Sequence, residues 1–130
     1  MKRLMLVLIL AMIATAARAE WTAMGGTDEF TTYVDRATIR RSGNLVKMWE
    51  LFDYNSVQTK FGLAYSILSV MYQDEYDCKN EQIRRLAFVW HDGNMGSGKA
   101  VFSDSDTGKW SPIAPGSIAL TLWKVACGKK

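Results

Sequence analysis

The chain has 130 residues, 48% of them apolar, with 16 lysines and arginines against 13 aspartates and glutamates. That is enough material for one packed core and too little length for two. The basic excess is no nucleic-acid signal. Lys2, Arg3 and Arg18 all fall in the first nineteen residues, and the remaining 111 hold 13 charges of each sign.

Those first residues read as an export signal. Met1-Lys2-Arg3 is a short basic start, Leu4 to Ala17 is an almost unbroken apolar run, and Ala17-Arg18-Ala19 supplies the small residues that signal peptidase reads. Cleavage is expected between Ala19 and Glu20, leaving 20–130 as a single domain in the periplasm or the medium. The apolar run is fourteen residues long, short of the ~20 that a membrane-spanning helix needs. No cysteine lies near the cleavage point, so no lipid can be attached there.

In the rest of the chain apolar residues mostly alternate between turn signals, the pattern of an antiparallel sheet. Trp21 to Met24 is a first short strand, ended by Gly25-Gly26. Phe30 to Val34 is a second, and Asp35-Arg36-Ala37 reads as a single helical turn. Ile39 to Arg41 and Leu45 to Tyr54 form a hairpin around Ser42-Gly43-Asn44. Ala64 to Cys78 is a long strand with Glu81 to His91 as its partner. Lys99 to Ser103 is short, and Asp104 to Lys109 is a loop.

The end of the chain differs. Ile118 to Cys127 carries helical spacing, with Ser117 placed to cap its start, Gly128 its end, and Lys124 in its last turn. Ile118, Leu122 and Val125 share one face, and Leu120, Trp123 and Cys127 an adjoining one. The predicted fold is therefore α+β: an antiparallel sheet of five or six strands with one C-terminal helix on one face.

Cys78 and Cys127 are the two cysteines, and in an exported chain their pairing is the default. Two free buried thiols are the alternative. Closing a loop of about 50 residues stabilises a domain by about 4 kcal/mol. With the pair closed, Cys78 faces the helix, and so do Ala64, Ser66, Leu68, Val70, Tyr72 and Tyr76 at even spacing from it. The opposite row, with Tyr65, Ile67 and Met71, is also partly apolar. On the earlier strand Leu45, Trp49 and Leu51 alternate with Val46, Met48, Phe52 and Tyr54. One ten-residue helix cannot cover both sides. The second face then meets either a partner, most simply another copy of the chain, or loops.

Few residues suggest reaction chemistry. Gly93 to Lys99 has the spacing of a phosphate-binding loop, but Ala100 stands where a magnesium-binding hydroxyl belongs and a strand follows, so a glycine-rich turn is expected. His91 is the lone histidine and reads as a strand end. One histidine and two paired cysteines cannot build a zinc site. Asp74, Glu75 and Asp77 read as a solvated cluster guarding a sheet edge. Glu50 interrupts the apolar row Val46, Met48, Phe52, Tyr54. It needs a partner if that row is internal, with Arg40, Arg84 and Arg85 as candidates for a buried ion pair. No catalytic residue, cofactor or metal site is expected.

The pattern resembles the surface-adhesin protein E family of proteobacteria. The matching residues are Trp21, Tyr33-Val34-Asp35, Ile39-Arg40, Val46 to Leu51, Asp53-Tyr54, Ser66 and Glu75-Tyr76-Asp77-Cys78. They continue through Arg84-Arg85, Gly96, Gly98, Trp110, Pro112, Pro115-Gly116-Ser117 and Cys127. The resemblance implies an antiparallel sheet with a C-terminal helix strapped to it by a disulfide. It also implies dimerisation and attachment to host matrix and serum proteins such as vitronectin and laminin. The adhesin that gives the family its name is a lipoprotein, whereas the leader here offers no cysteine, which favours a periplasmic home. The expected function is thus non-enzymatic protein binding. A periplasmic structural or assembly factor that binds another envelope protein is the alternative.

Overall fold

The computed structural model describes residues 19–59 and 65–130. Six antiparallel strands run in chain order: β1 (Thr22–Gly26), β2 (Phe30–Ser42), β3 (Leu45–Gln58), β4 (Ile67–Asp77), β5 (Gln82–His91) and β6 (Ala100–Asp104). A two-residue β7 (Ser111–Pro112) pairs with the free end of β5, and α1 (Ile118–Cys127) closes the chain. Each strand pairs with the next through a short connection, which is why alternation and turn signals located most of them. The predicted strand beginning at Ala64 starts at Ile67 instead; Ala64 lies outside the described residues.

The predicted helical turn at Asp35-Arg36-Ala37 is absent. Phe30–Ser42 is one strand carrying a wide bulge, in which residues 36–39 sit opposite Met48 between the pairs Asp35↔Trp49 and Arg40↔Lys47. Side chains replace the missing ladder bonds. The Ala37 amide donates to Asp35 Oδ1 (3.1 Å), the Thr38 hydroxyl donates to the Asp35 carbonyl (2.6 Å), and the Trp49 amide donates to Thr38 Oγ1 (2.9 Å). Asp and Thr compete locally with regular structure in this way, and a bulge resolves the conflict without ending the strand.

A smaller bulge re-aims β5. Gln73 pairs with Ala87 but Asp74 pairs with Arg85, so Leu86 is the extra residue. Ile83 and Arg85 share one face before it, and Phe88 and Trp90 lie on that same face after it.

Helix α1 forms as its caps dictate. Ser117 Oγ accepts from the Leu120 amide at 3.2 Å, and Gly128 is left-handed at φ 66°. Its buried stripe is Leu122, Trp123, Ala126 and Cys127, packed on Val34, Val46, Met48 and Tyr76. The two faces proposed from spacing thus merge into one, centred on Ala126 rather than Val125. The Trp123 indole N–H donates to the Asp77 carbonyl at 2.9 Å, and the Cys78–Cys127 disulfide sits beside it. Helix and sheet are joined covalently at the turn where β4 ends.

The other side of the sheet is partly covered by a loop. The segment after β5 makes a single 3-10 turn, Asn94–Gly96, folded over Met71 and Leu51, and Leu51 is fully buried there. Gly96 sits at φ 69°, and a Cβ on it would come within 3.2 Å of Met71 Sδ, so the turn depends on glycine.

Candidate functional site

The helix covers only one end of its face. Beyond it the same face carries aromatic rings that the register brings into line. Phe52 pairs with Val70, Val70 with Trp90, and Trp90 with Phe102; one row along, Tyr72 pairs with Phe88. Ring centroids lie 5.1 Å apart for Phe30–Phe52 and Phe52–Tyr72, 6.4 Å for Tyr72–Phe88, 5.8 Å for Phe88–Trp90 and 4.8 Å for Trp90–Phe102. The result is a continuous aromatic strip across five strands, packed over Tyr54, Ile67 and Val70, with Phe52 bordering the helix-covered cluster. Phe102 is 42% exposed and Tyr65 37% exposed at its outer edge. Rings so placed retain much of their hydrophobic and stacking potential for a partner.

A buried polar cluster separates this strip from the helix-covered half. Glu50 has no solvent exposure, and Tyr76 Oη donates to its Oε1. No donor reaches Glu50 Oε2 among the described residues, while the Asp74 side chain lies beside it. That oxygen is satisfied when it carries a proton and donates it to Asp74. Burial first, and the neighbouring Asp74 second, hold the Glu50 carboxyl well above the usual carboxylate range. Burial and the same two carboxyls also push the Tyr76 phenol up. Arg85 completes the cluster, with Nε 3.1 Å from Asp74 Oδ1 and its guanidinium 3.7 Å above the Tyr72 ring.

The sequence expectations for these residues divide. Glu50 is internal as anticipated, but no arginine pairs with it among the described residues. Arg85 pairs with Asp74, Arg84 pairs with Glu75 at 2.6 Å, and Arg40 donates to the carbonyls of Ala37 and Ile39. The bulge at Leu86 is the reason, since it aims Arg85 at Asp74. Asp74, Glu75 and Asp77 do not form a solvated edge cluster. They lie on β4, inside the sheet, and Asp74 is 2% exposed. Asp77 instead shapes the β4–β5 turn by accepting from the amides of Lys79 and Asn80.

The phosphate-loop spacing has its amides committed elsewhere. Met95 N–H donates to Asp53, Gly96 N–H to Ser69, Ser97 N–H to the Asn94 carbonyl and Lys99 N–H to Asp92. His91 ends β5 as expected. Its Nδ1 is buried without a partner among the described residues, and burial lowers its pKa. No group of three or more metal-ligating side chains comes together among the described residues. Nor is any described helix long and apolar enough to cross a membrane. The aromatic strip is what sequence reasoning missed. Its signal lay in the alternation of Phe52 with Tyr54 and of Phe88 with Trp90, but only the register unites them with Phe30 and Phe102.

Comparison with known proteins agrees with this architecture. Two structures of Haemophilus influenzae protein E, crystal form II and the selenomethionine form, superpose on it with a TM-score of 0.66 at 14% identity. The match covers 88% of this chain and 91% or 90% of those chains. A further structure, of protein E from non-typeable Haemophilus influenzae, gives 0.61 at 12% identity over 88% of this chain and 79% of that one. No curated protein sequence matches. The family model for surface-adhesin protein E matches residues 21–128, which include both cysteines and all the described elements. The chain belongs to the surface-adhesin protein E family.

Proposed function

We propose that the protein is exported, loses residues 1–19 by cleavage between Ala19 and Glu20, and works as a non-enzymatic binding protein in the periplasm or outside the cell. Its 20–130 domain engages a protein partner through the aromatic strip. The observation that carries this reading is the run of rings from Phe30 to Phe102, which ends in the exposed Phe102 and Tyr65 beyond the reach of the helix-side core cluster. Exposed aromatic rings on a rigid sheet are the composition of interface hot spots. A host matrix or serum protein is the first candidate for that partner. An envelope protein is the second candidate, and a second copy of the chain would use the same strip.

Binding of the purified protein to immobilised vitronectin and laminin, beside a pull-down from envelope extract, tests the reading. Phe102→Ser should weaken capture at least about tenfold, as loss of a hot-spot ring does. Unchanged capture by that variant would remove the strip from the interface. Sedimentation at rising concentration reports self-association, and labelling of intact cells separates a surface location from a periplasmic one.

A further inference from the structure

The β2 bulge forms one wall of a cleft of about 540 Å³ on the sheet face opposite α1. Trp49, Met71 and Gln73 form its floor, residues 35–40 one side, and Trp21 with Ala19 the other. Its size falls within the range of small-ligand sites. Its polar groups are built in rather than scattered. Asp35 is only 6% exposed, and one of its carboxylate oxygens accepts from the Ala37 amide while the other has no hydrogen-bond partner among the described residues. Arg40 stands at the exposed rim, held through Nη1 by two backbone carbonyls, and the Gln73 amide lines the floor with no hydrogen-bond partner among the described residues.

We propose that this cleft binds a neutral oligosaccharide, with a sugar ring against the indoles of Trp21 and Trp49 and its hydroxyls bonded to Asp35, Gln73 and Arg40. The donor and acceptor balance selects that class. A cation would use Asp35 but meet the Arg40 charge, and an anion would use Arg40 but meet Asp35. A hydroxyl both donates and accepts, so a polyol satisfies all three side chains without burying a charge of its own. The indoles supply the broad apolar faces that the C–H side of a sugar ring covers. The cleft is distinct from the aromatic strip, which lies on the opposite face. The proposed processing bears on one end of the cleft: removal of Ala19 opens it and leaves the Glu20 α-amino group and carboxylate, one charge of each sign, beside Trp21.

The test is NMR titration of the exported protein with tetra-N-acetylchitotetraose, maltotetraose and cellotetraose. Tetramethylammonium, benzoate and glycylphenylalanine serve as cationic, anionic and zwitterionic comparisons. At least one neutral tetrasaccharide should shift the indole N–H signals of Trp21 and Trp49 and the Thr38 and Gln73 amides saturably in the millimolar range, leaving α1 unmoved. Gln73→Ala and Trp21→Ala should each weaken that binding by about tenfold, near 1.4 kcal/mol, with the rest of the spectrum unchanged. Absence of any saccharide shift would overturn the proposal. So would stronger shifts of the same signals by one of the charged comparisons, or variants that bind as well as the parent. N-terminal sequencing separately reports whether Glu20 is the first residue, so a failure of processing and a failure of binding are told apart.

Discussion

The two halves of the helix-side face are both apolar and treat their side chains in opposite ways. Under α1, Val34, Val46, Met48 and Tyr76 are sealed by Leu122, Trp123, Ala126 and Cys127, with a covalent bond holding the lid down. Beyond the buried Glu50 and Asp74, with Arg85 at their exposed rim, the strip from Phe30 to Phe102 is only partly covered. Stability is therefore concentrated at one end of the sheet, and surface available to a partner at the other. A small domain with one helix can seal only one such end.

Removing the bond at the sealed end should cause the largest change. Cys78→Ser with Cys127→Ser is expected to cost about 4 kcal/mol, read as the shift in a chemical denaturation curve. Because total stability of such domains is about 5–15 kcal/mol, α1 should become protease-sensitive while near-ultraviolet dichroism of the aromatic strip changes less. Simultaneous loss of both signals would show that the halves stand or fall together.

The boundary cluster gives a pH dependence of known sign. Glu50 keeps its proton in the folded protein well above 4.5, where the unfolded carboxyl releases it. The folded state then binds more protons, so this group's contribution to stability is full below about pH 4.5 and declines as pH rises toward the folded pKa. Glu50→Gln retains an acceptor for Tyr76 and a donor for Asp74 without the titration. The variant should lose that slope and melt a few degrees higher at pH 8, by about 1–2 kcal/mol. Parallel stability–pH curves for the two proteins would show that Glu50 is not the group responsible.

Two smaller effects sharpen the contrast. Trp123→Phe deletes the hydrogen bond to the Asp77 carbonyl while keeping most of the ring, for a loss of about 1 kcal/mol in denaturation. Phe102→Ser at the open end should cost about 1 kcal/mol, because the ring is 42% exposed and loses only its edge contacts with Phe88 and Trp90. A cost above 2 kcal/mol at Phe102 would mean that the strip is core and not a docking surface.

Much of the sealed half was legible because its signals are local. Ser117 and Gly128 bracket α1, alternation marks the strands, and two cysteines have a single way to pair. The wide bulge in β2 was not legible. Asp35-Arg36-Ala37-Thr38 has the composition of a turn, and only the contact of Thr38 with Trp49, eleven residues on, shows that the strand continues. The inserted Leu86 reversed the facing of Arg84 and Arg85, so spacing alone could not choose between Glu50, Asp74 and Glu75 as their partners. The aromatic strip is assembled from five strands and exists only once their register is known. Local chemistry was readable, and features made by cross-strand alignment were not.

The position of the two sulfurs also bears on how the molecule matures. Cys127 lies within four residues of the last, Lys130, while Cys78 belongs to a turn formed midway. The bond joins residues 49 apart in sequence, so it can close only when α1 comes to rest against the turn that ends β4, and sheet pairing there precedes it. Since the sequence offers no competing thiol, scrambled isomers cannot arise within one molecule. Maturation then calls for a thiol oxidant acting late and has no need of a disulfide isomerase.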